Sequence, residues 1–340
     1  MAVNFKELTR KERKDALEKL SEKAFREKQI FRWICKGAES FDEMSDLSAA
    51  LRSRLSEEYS FESCKPELIQ TSSDGTKKFL LSFPGGDLAE AVFMKYSYGN
   101  SLCISTQVGC NMGCIFCASG IDGKVRDLKA WEMLDEYIIC RKNSGEEINH
   151  IVLMGMGEPF DNYEEVLKFI ELIHDPEGIG LSLRNITVST CGVIPKIKQF
   201  GNDAPQVNLA ISLHASTQEK REKIMPSAKA FPLDKLIPVC REHTEKTGRR
   251  ITFEYALIAG ENDTAEDLKA LSELLRGINC HVNLIPLNHV EESKLKSSEI
   301  NKAKAFAQKL EKLGIPCTVR RQLGADIDAA CGQLRKKHTC

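Results

Sequence analysis

The sequence predicts an α/β protein: a partial or full barrel of parallel strands with helices outside, entered through a small helical domain. Three observations predict it. From about residue 100 onward, strand-like runs alternate with amphipathic helical stretches. The first 60 or so residues carry apolar positions at helical spacing. Between the two lies a hairpin signal, Asp74-Gly75 flanked by strand-like runs. Repeated strand–helix units imply a parallel sheet, and in a barrel the chemistry gathers at the C-terminal ends of the strands.

The elements follow in order. Over residues 11–34, Ala16, Leu20, Ala24, Ile30 and Ile34 recur at helical spacing, and residues 41–59 form a second helical stretch. No glycine-rich phosphate loop occurs there. The runs LIQTSSDGTKKFLLSF, LAEAVFMKY and SLCISTQ read as short strands. Further strand-like runs lie at 150–155, 185–190, 207–212, 251–258, 281–286 and 317–320. Helical stretches at 128–143, 162–174, 232–246, 264–275 and 298–313 separate them. The expected division is a helical accessory domain over 1–62, a hairpin linker over 63–98, the barrel over 99–321 and a C-terminal segment over 322–340.

Composition narrows the function classes. No apolar run approaches the ~20 residues of a membrane-spanning helix. The start, MAVNFKELTRKERKDALEKL, lacks the apolar centre of a signal peptide, which predicts a cytoplasmic protein. Thirteen cysteines in such a chain point to metal or thiol chemistry. Cys35, Cys64, Cys140, Cys240 and Cys280 stand singly in apolar or helical patterns and read as small buried hydrophobes. Cys340 belongs to no motif. Net charge is −1, yet the ends are basic: residues 1–36 hold 11 Lys/Arg against 6 Asp/Glu, and residues 294–340 hold 11 against 4. Such ends fit a polyanion at the rim of a site, although charge alone favours solvated helix faces.

The chemistry is carried by Gly109-Cys110-Asn111-Met112-Gly113-Cys114-Ile115-Phe116-Cys117. This C-x3-C-x2-C run follows the first barrel strand. Three thiolates so spaced can each ligate one iron of a 4Fe–4S cube. The fourth iron is then left open. It can chelate the amino and carboxylate groups of S-adenosylmethionine (SAM) and pass an electron to its sulfonium. A zinc site would want four N/S ligands, which Cys103 or Cys331 could complete. A redox pair at Cys114 and Cys117 would leave Cys110 unexplained.

The loop, with Phe116 before its last cysteine, resembles the radical-SAM superfamily, which implies a partial (β/α)6 TIM-like barrel. LCISTQVGCNMGCIFCASG (102–120), MGMGEPFDN (154–162), ISLHAS (211–216) and DIDAACGQL (326–334) resemble the RlmN/Cfr family of radical-SAM RNA adenine methyltransferases. RITFEYALIAGEND (250–263), HVNLIPLN (281–288) and FREKQIFRWI (25–34) extend the likeness over nearly the whole chain. The resemblance implies that Cys110, Cys114 and Cys117 hold the cluster. It implies that Gly157, Glu158, Ser189, Ser212, Leu213, His214 and Asn288 contact SAM, while Asn283 lies within its strand. Cys331 is implied to be methylated on sulfur by one SAM. A second SAM yields the 5′-deoxyadenosyl radical, which draws hydrogen from that methyl group, and the methylene radical adds to adenine. Cys103 is implied to resolve the adduct by a disulfide with Cys331, and Glu90 to accept a proton.

The implied substrate is adenine 2503 of 23S rRNA, with adenine 37 of tRNAs, methylated at carbon 2. The implied partners include an electron donor such as flavodoxin or ferredoxin, and the enzyme is expected to be a monomer with no membrane partner. A Cfr-like enzyme would methylate carbon 8 instead and confer antibiotic resistance. Pro159 is the RlmN-like choice, where Cfr-like sequences tend to have Ala. Cys191 departs from the serine often found in the family. Readings of other classes are a radical-SAM enzyme that modifies a protein, which would not need Cys331, and an RNA-binding module with structural zinc.

Overall fold

Three helices open the chain: α1 (Arg10–Lys19), α2 (Arg26–Cys35) and α3 (Ala49–Glu58). The computed structural model describes residues 2–288, 290 and 292–335, so Cys340 lies outside the described residues. The helical pattern over 11–34 divides in two because the chain turns between α1 and α2, with Ser21 in the left-handed region at φ +54°. A capping box, Thr9 with Glu12, starts α1 by satisfying backbone N–H groups that a helix end leaves unpaired.

Four strands follow: β1 (Lys65–Thr71), β2 (Lys77–Ser82), β3 (Leu88–Tyr96) and β4 (Gly99–Ile104). They pair antiparallel in sequence order. Asp74-Gly75 makes the β1–β2 turn; Gly75 takes φ +87°, and the Asp74 carboxylate accepts from the Thr76 amide at 2.9 Å. Two short strands, β5 (Gln107–Val108) and β6 (Arg126–Asp127), form their own ladder and bracket the cysteine loop.

The remaining elements alternate: α4 (Ala130–Ser144), β7 (His150–Leu153), α5 (Tyr163–His174), β8 (Ile186–Thr190), α6 (Ile194–Asp203), β9 (Asn208–Ser212), α7 (Gln218–Ile224), α8 (Leu233–Thr247), β10 (Ile251–Leu257), α9 (Ala265–Leu275), β11 (Cys280–Pro286), α10 (Ile300–Lys312) and β12 (Cys317–Val319). The ten-stranded sheet runs β1-β2-β3-β4-β7-β8-β9-β10-β11-β12. From β4 through β12 every pairing is parallel. Among the described residues β1 and β12 do not pair, so the sheet stays open as a partial barrel with a short last strand. Helices α6 and α7 and the short strand β6 are elements that the sequence pattern did not announce. No described helix is long and apolar enough to cross a membrane.

The helical entry shares its core with the barrel, from Phe5 and Phe31 through Tyr137 and Ile173. Arg13 is fully buried there. It pairs with Glu27 (3.3 Å) and Asp175, donates to Leu8 O (2.8 Å), and lies 3.7 Å from the Phe31 ring centre. A buried guanidinium is tolerated only with its donors satisfied in this way. The contact is tight: a Cβ at Gly178 would come within 2.4 Å of the Phe31 ring.

Candidate active site

The cysteine loop leaves the C-terminal end of β4, and backbone geometry fixes its course. Ser105 Oγ donates to Glu90 O (2.7 Å) and accepts from the Met156 amide (2.9 Å), locking the start of the loop to β3 and to the turn after β7. Gly109 has φ +78°, and a Cβ there would lie 1.9 Å from Gly123 O, so only glycine lets the loop close on itself. The Met112 amide donates to Cys110 Sγ (3.5 Å) and the Cys117 amide to Cys114 O (3.1 Å). Burial pushes the Cys110 thiol up to about 12 and raises Cys114 and Cys117 as well. Bare thiolates are disfavoured here; a cation of iron is what would stabilise them.

The strand ends form the facing wall. A cavity of about 980 Å³, counted to its open mouth, is lined by Cys110, Cys114, Cys117, Gly157, Glu158, Ser189, Ser212, His214, Asn288 and Cys331. Gly157 at φ +106° presses on Gln107, where a Cβ would meet the side chain at 2.7 Å. Glu158 is buried. Its Oε1 accepts from the Phe160 amide (3.0 Å) and its Oε2 from the Cys191 amide (2.7 Å). Burial raises its pKa against those bonds. His214 takes φ +55°, and its Nδ1 accepts from the Ala256 amide (3.0 Å). Burial drops its pKa to about 3, so the ring is neutral and Nε2 carries the proton. Leu213 departs from the expected set. Its side chain is buried in the core away from the cavity lining, and only its backbone stands near the site.

Cys331 reaches the same cavity from the far end of the chain. The Ala118 amide donates to Gly332 O (2.7 Å), and Ser119 Oγ donates to Leu334 O (2.8 Å). The two residues after Cys117 therefore seat the C-terminal segment. Asn288 Nδ2 donates to Cys331 O (2.8 Å), and Asn288 Oδ1 accepts from Gln322 Nε2 (2.6 Å). Cys331 also lines a second, adjoining cavity with Cys103, Met154, Asn288 and Arg320. Surrounding walls desolvate the Cys331 sulfur and raise its thiol pKa, while Arg320 pulls it down. Burial pushes Cys103 up to about 12. The Cys103–Cys331 disulfide is not formed: both are free thiols, Cys103 buried and Cys331 exposed. Glu90 sits on the inward face of β3 beneath this segment. Its carboxylate accepts from the Arg335 amide (2.7 Å) and pairs with Lys78 Nζ (3.2 Å); burial raises its pKa.

Three cysteines round one cavity are a donor set that a cube can use. Among the described residues, no three His, Cys, Asp or Glu side chains converge on a single metal position. Three thiols round one cavity could each hold a different iron. Of the other donors there, His214 accepts from the Ala256 amide, Glu158 from two amides, and Cys191 Sγ meets Met112 Sδ at 3.4 Å, while Cys331 and Glu254 also line the cavity.

Residues 3–60 match the ribosomal RNA large subunit methyltransferase N-terminal domain, and residues 104–275 match the radical SAM superfamily. The chain is 49% identical over 337 residues to a protein of a Thermoanaerobacter species named probable dual-specificity RNA methyltransferase RlmN, covering 98% of each. It is 50% identical over 337 residues to the protein of that name in Alkaliphilus oremlandii, covering 99% of this chain and 98% of the other. A crystal structure of a radical SAM methyltransferase from Sphaerobacter thermophilus superposes with TM-score 0.94 at 38% identity, over 98% of this chain and all of the other.

The chain belongs to the RlmN family of radical-SAM RNA methyltransferases. Within this RlmN fold, several residues of the site escaped the sequence reading. Gln107 Oε1 accepts from the Glu158 amide (2.9 Å) and fixes that turn. Glu254, on β10, faces the cavity and accepts from Asn283 Nδ2 (2.9 Å); a carboxylate inside an otherwise uncharged strand was its signal. Arg320 follows β12 and borders both cavities, with no sequence signal of its own. The basic N-terminal excess is partly consumed internally: Lys6 pairs with Asp135, and Arg10, Lys28 and Arg32 gather on Glu177.

Proposed function

We propose that this chain methylates carbon 2 of adenine 2503 in 23S rRNA, and of adenine 37 in tRNAs, through a methyl group first carried by Cys331. The observation that carries the reading is the seating of Cys331. Its segment is bonded to the residues just after Cys117, and its side chain borders both the cavity of the three cysteines and the cavity of Cys103. The family to which the chain belongs supports the substrate class, and Pro159 favours carbon 2 over carbon 8.

In this reading Cys110, Cys114 and Cys117 hold a 4Fe–4S cluster, which when bound supplies the electron that splits SAM. Gly157, Glu158, Ser189, Ser212, His214, Asn288 and the backbone at Leu213 receive SAM. Two SAM molecules serve each turnover, one to methylate the Cys331 sulfur and one to be split. Carbon 2 of adenine is electron-poor, so ordinary polar methyl transfer cannot reach it. Carrying the carbon on Cys331 solves this by covalent catalysis. Glu90, held by Lys78, takes up a proton, and Cys103 assists product release from across the shared cavity. The target base must leave its stack to reach a sulfur set at a cavity of the barrel mouth. The enzyme acts as a cytoplasmic monomer, with a flavodoxin or ferredoxin as electron donor.

The test is anaerobic reconstitution with iron and sulfide, incubation with SAM, a reductant and an unmodified rRNA fragment or tRNA, and nucleoside mass spectrometry. The expected product is 2-methyladenosine, absent with Cys331→Ala. An 8-methyl product, or full turnover by Cys331→Ala, contradicts the reading.

A further inference from the structure

Arg221 lies on α7 and is completely buried, yet its hydrogen bonds all go to backbone carbonyls. Nε donates to Leu213 O (3.1 Å), Nη1 to Phe231 O (3.0 Å), and Nη2 to Ser212 O (3.1 Å) and Cys191 O (2.5 Å). These carbonyls come from the end of β8, the end of β9 and the entry to α8. One planar fork thus ties together the strand ends that face the cavity. Lysine could not do this, because its ammonium is a single point with three donors. Four carbonyls take four of the five N–H donors of the guanidinium but leave its charge uncompensated, a costly state unless an anion lies near.

The cysteine loop is where an anion can lie. The Ile115 amide donates to Ile224 O (3.1 Å), the last residue of α7, so the helix carrying Arg221 ends on the loop between Cys114 and Cys117. The Arg221 charge acts on both Cys114 and Cys191. A cube bearing three thiolates is anionic, and reduction adds one more negative charge. We propose that Arg221 is a positioning residue that supplies the buried counter-charge to this cluster and holds the β8 and β9 ends in register for SAM. The inference rests on the iron–sulfur reading above.

Its removal disfavours the reduced cluster. Anaerobically reconstituted Arg221→Met, Arg221→Lys and unchanged enzyme are compared for iron per chain, midpoint potential by EPR titration, and SAM dissociation constant. With Arg221→Met, iron is retained, and the ratio of reduced to oxidised cluster at fixed poise falls about tenfold, which is 59 mV for a one-electron couple. Arg221→Lys keeps the charge and the potential but binds SAM about tenfold more weakly, because the fork is lost. Full iron with an unchanged potential in Arg221→Met overturns the proposal. Should that variant not fold, Arg221→Lys decides: unchanged SAM affinity overturns it. An unchanged enzyme that takes up no iron overturns the cluster reading itself.

Discussion

Replacing Lys78 by methionine isolates the carboxylate of Glu90 inside the protein. The pair stands 3.2 Å apart, with 9% and 5% of the side chains exposed. At an effective dielectric constant of roughly 20, such a contact carries about 5 kcal/mol of gross attraction. Removing one partner of a buried pair costs roughly 3–5 kcal/mol, because the other charge stays behind uncompensated. Glu90 keeps its bond from the Arg335 amide and can escape by protonating, so the lower end, about 3 kcal/mol, is expected at pH 8. Burial already raises the pKa of Glu90, and Lys78 is the largest influence holding it down. Without Lys78 it rises further. Below the unfolded value, near 4.5, the carboxyl is neutral in both states and the penalty vanishes. As pH climbs through the folded value the unfolded chain ionises freely and the folded one does not, so Lys78→Met loses stability progressively. In a chain of this size each kcal/mol moves the melting temperature by roughly 2 °C. Thermal unfolding of oxygen-free protein is therefore expected to show a deficit of about 6 °C at pH 8 that shrinks to about 1 °C near pH 4.5. A deficit independent of pH refutes the reasoning.

Gly109→Ala places a Cβ 1.9 Å from Gly123 O at a positive φ, a cost of roughly 3 kcal/mol or more, so the cysteine loop cannot close; reconstituted iron should fall severalfold while circular dichroism stays unchanged. Cys191→Ser keeps activity within about threefold, since the residue bonds Glu158 through its backbone amide, but it buries a hydroxyl near Met112 and lowers stability by about 1 kcal/mol; loss of methyl transfer contradicts this. Affinity for an rRNA fragment falls as salt rises, with a negative slope of log affinity against log salt concentration; a flat response in filter binding would show that Lys and Arg at the rim contribute little.

Much of this was legible in the sequence. The strand-like runs at 150–155, 185–190, 207–212, 251–258, 281–286 and 317–320 agree with β7 to β12 within a few residues, because buried parallel strands must be continuous apolar runs. The cysteine triplet was legible because its spacing is local. Helix α7, QEKREKI, was not: five of its seven residues are charged, and its packing depends on Arg221 reaching backbone carbonyls elsewhere in the chain. Helix α6 contains Pro195 and Gly201, both signals against a helix, yet proline is harmless in its first turn. Leu213 was named through its neighbours in ISLHAS, but alternation along the chain turns its side chain into the core. The ties from Ser119 and Asn288 to the Cys331 segment span more than forty residues at the least, beyond the reach of any local pattern.

Electron–nuclear double resonance on the reduced, oxygen-free enzyme, with SAM labelled by ¹⁵N in its amino group and ¹⁷O in its carboxylate, addresses the cavity itself. Three protein thiolates and one iron bound through both labelled groups are expected. Four protein ligands on the metal, or no coupling to either label, would contradict that arrangement and everything assigned to Cys331.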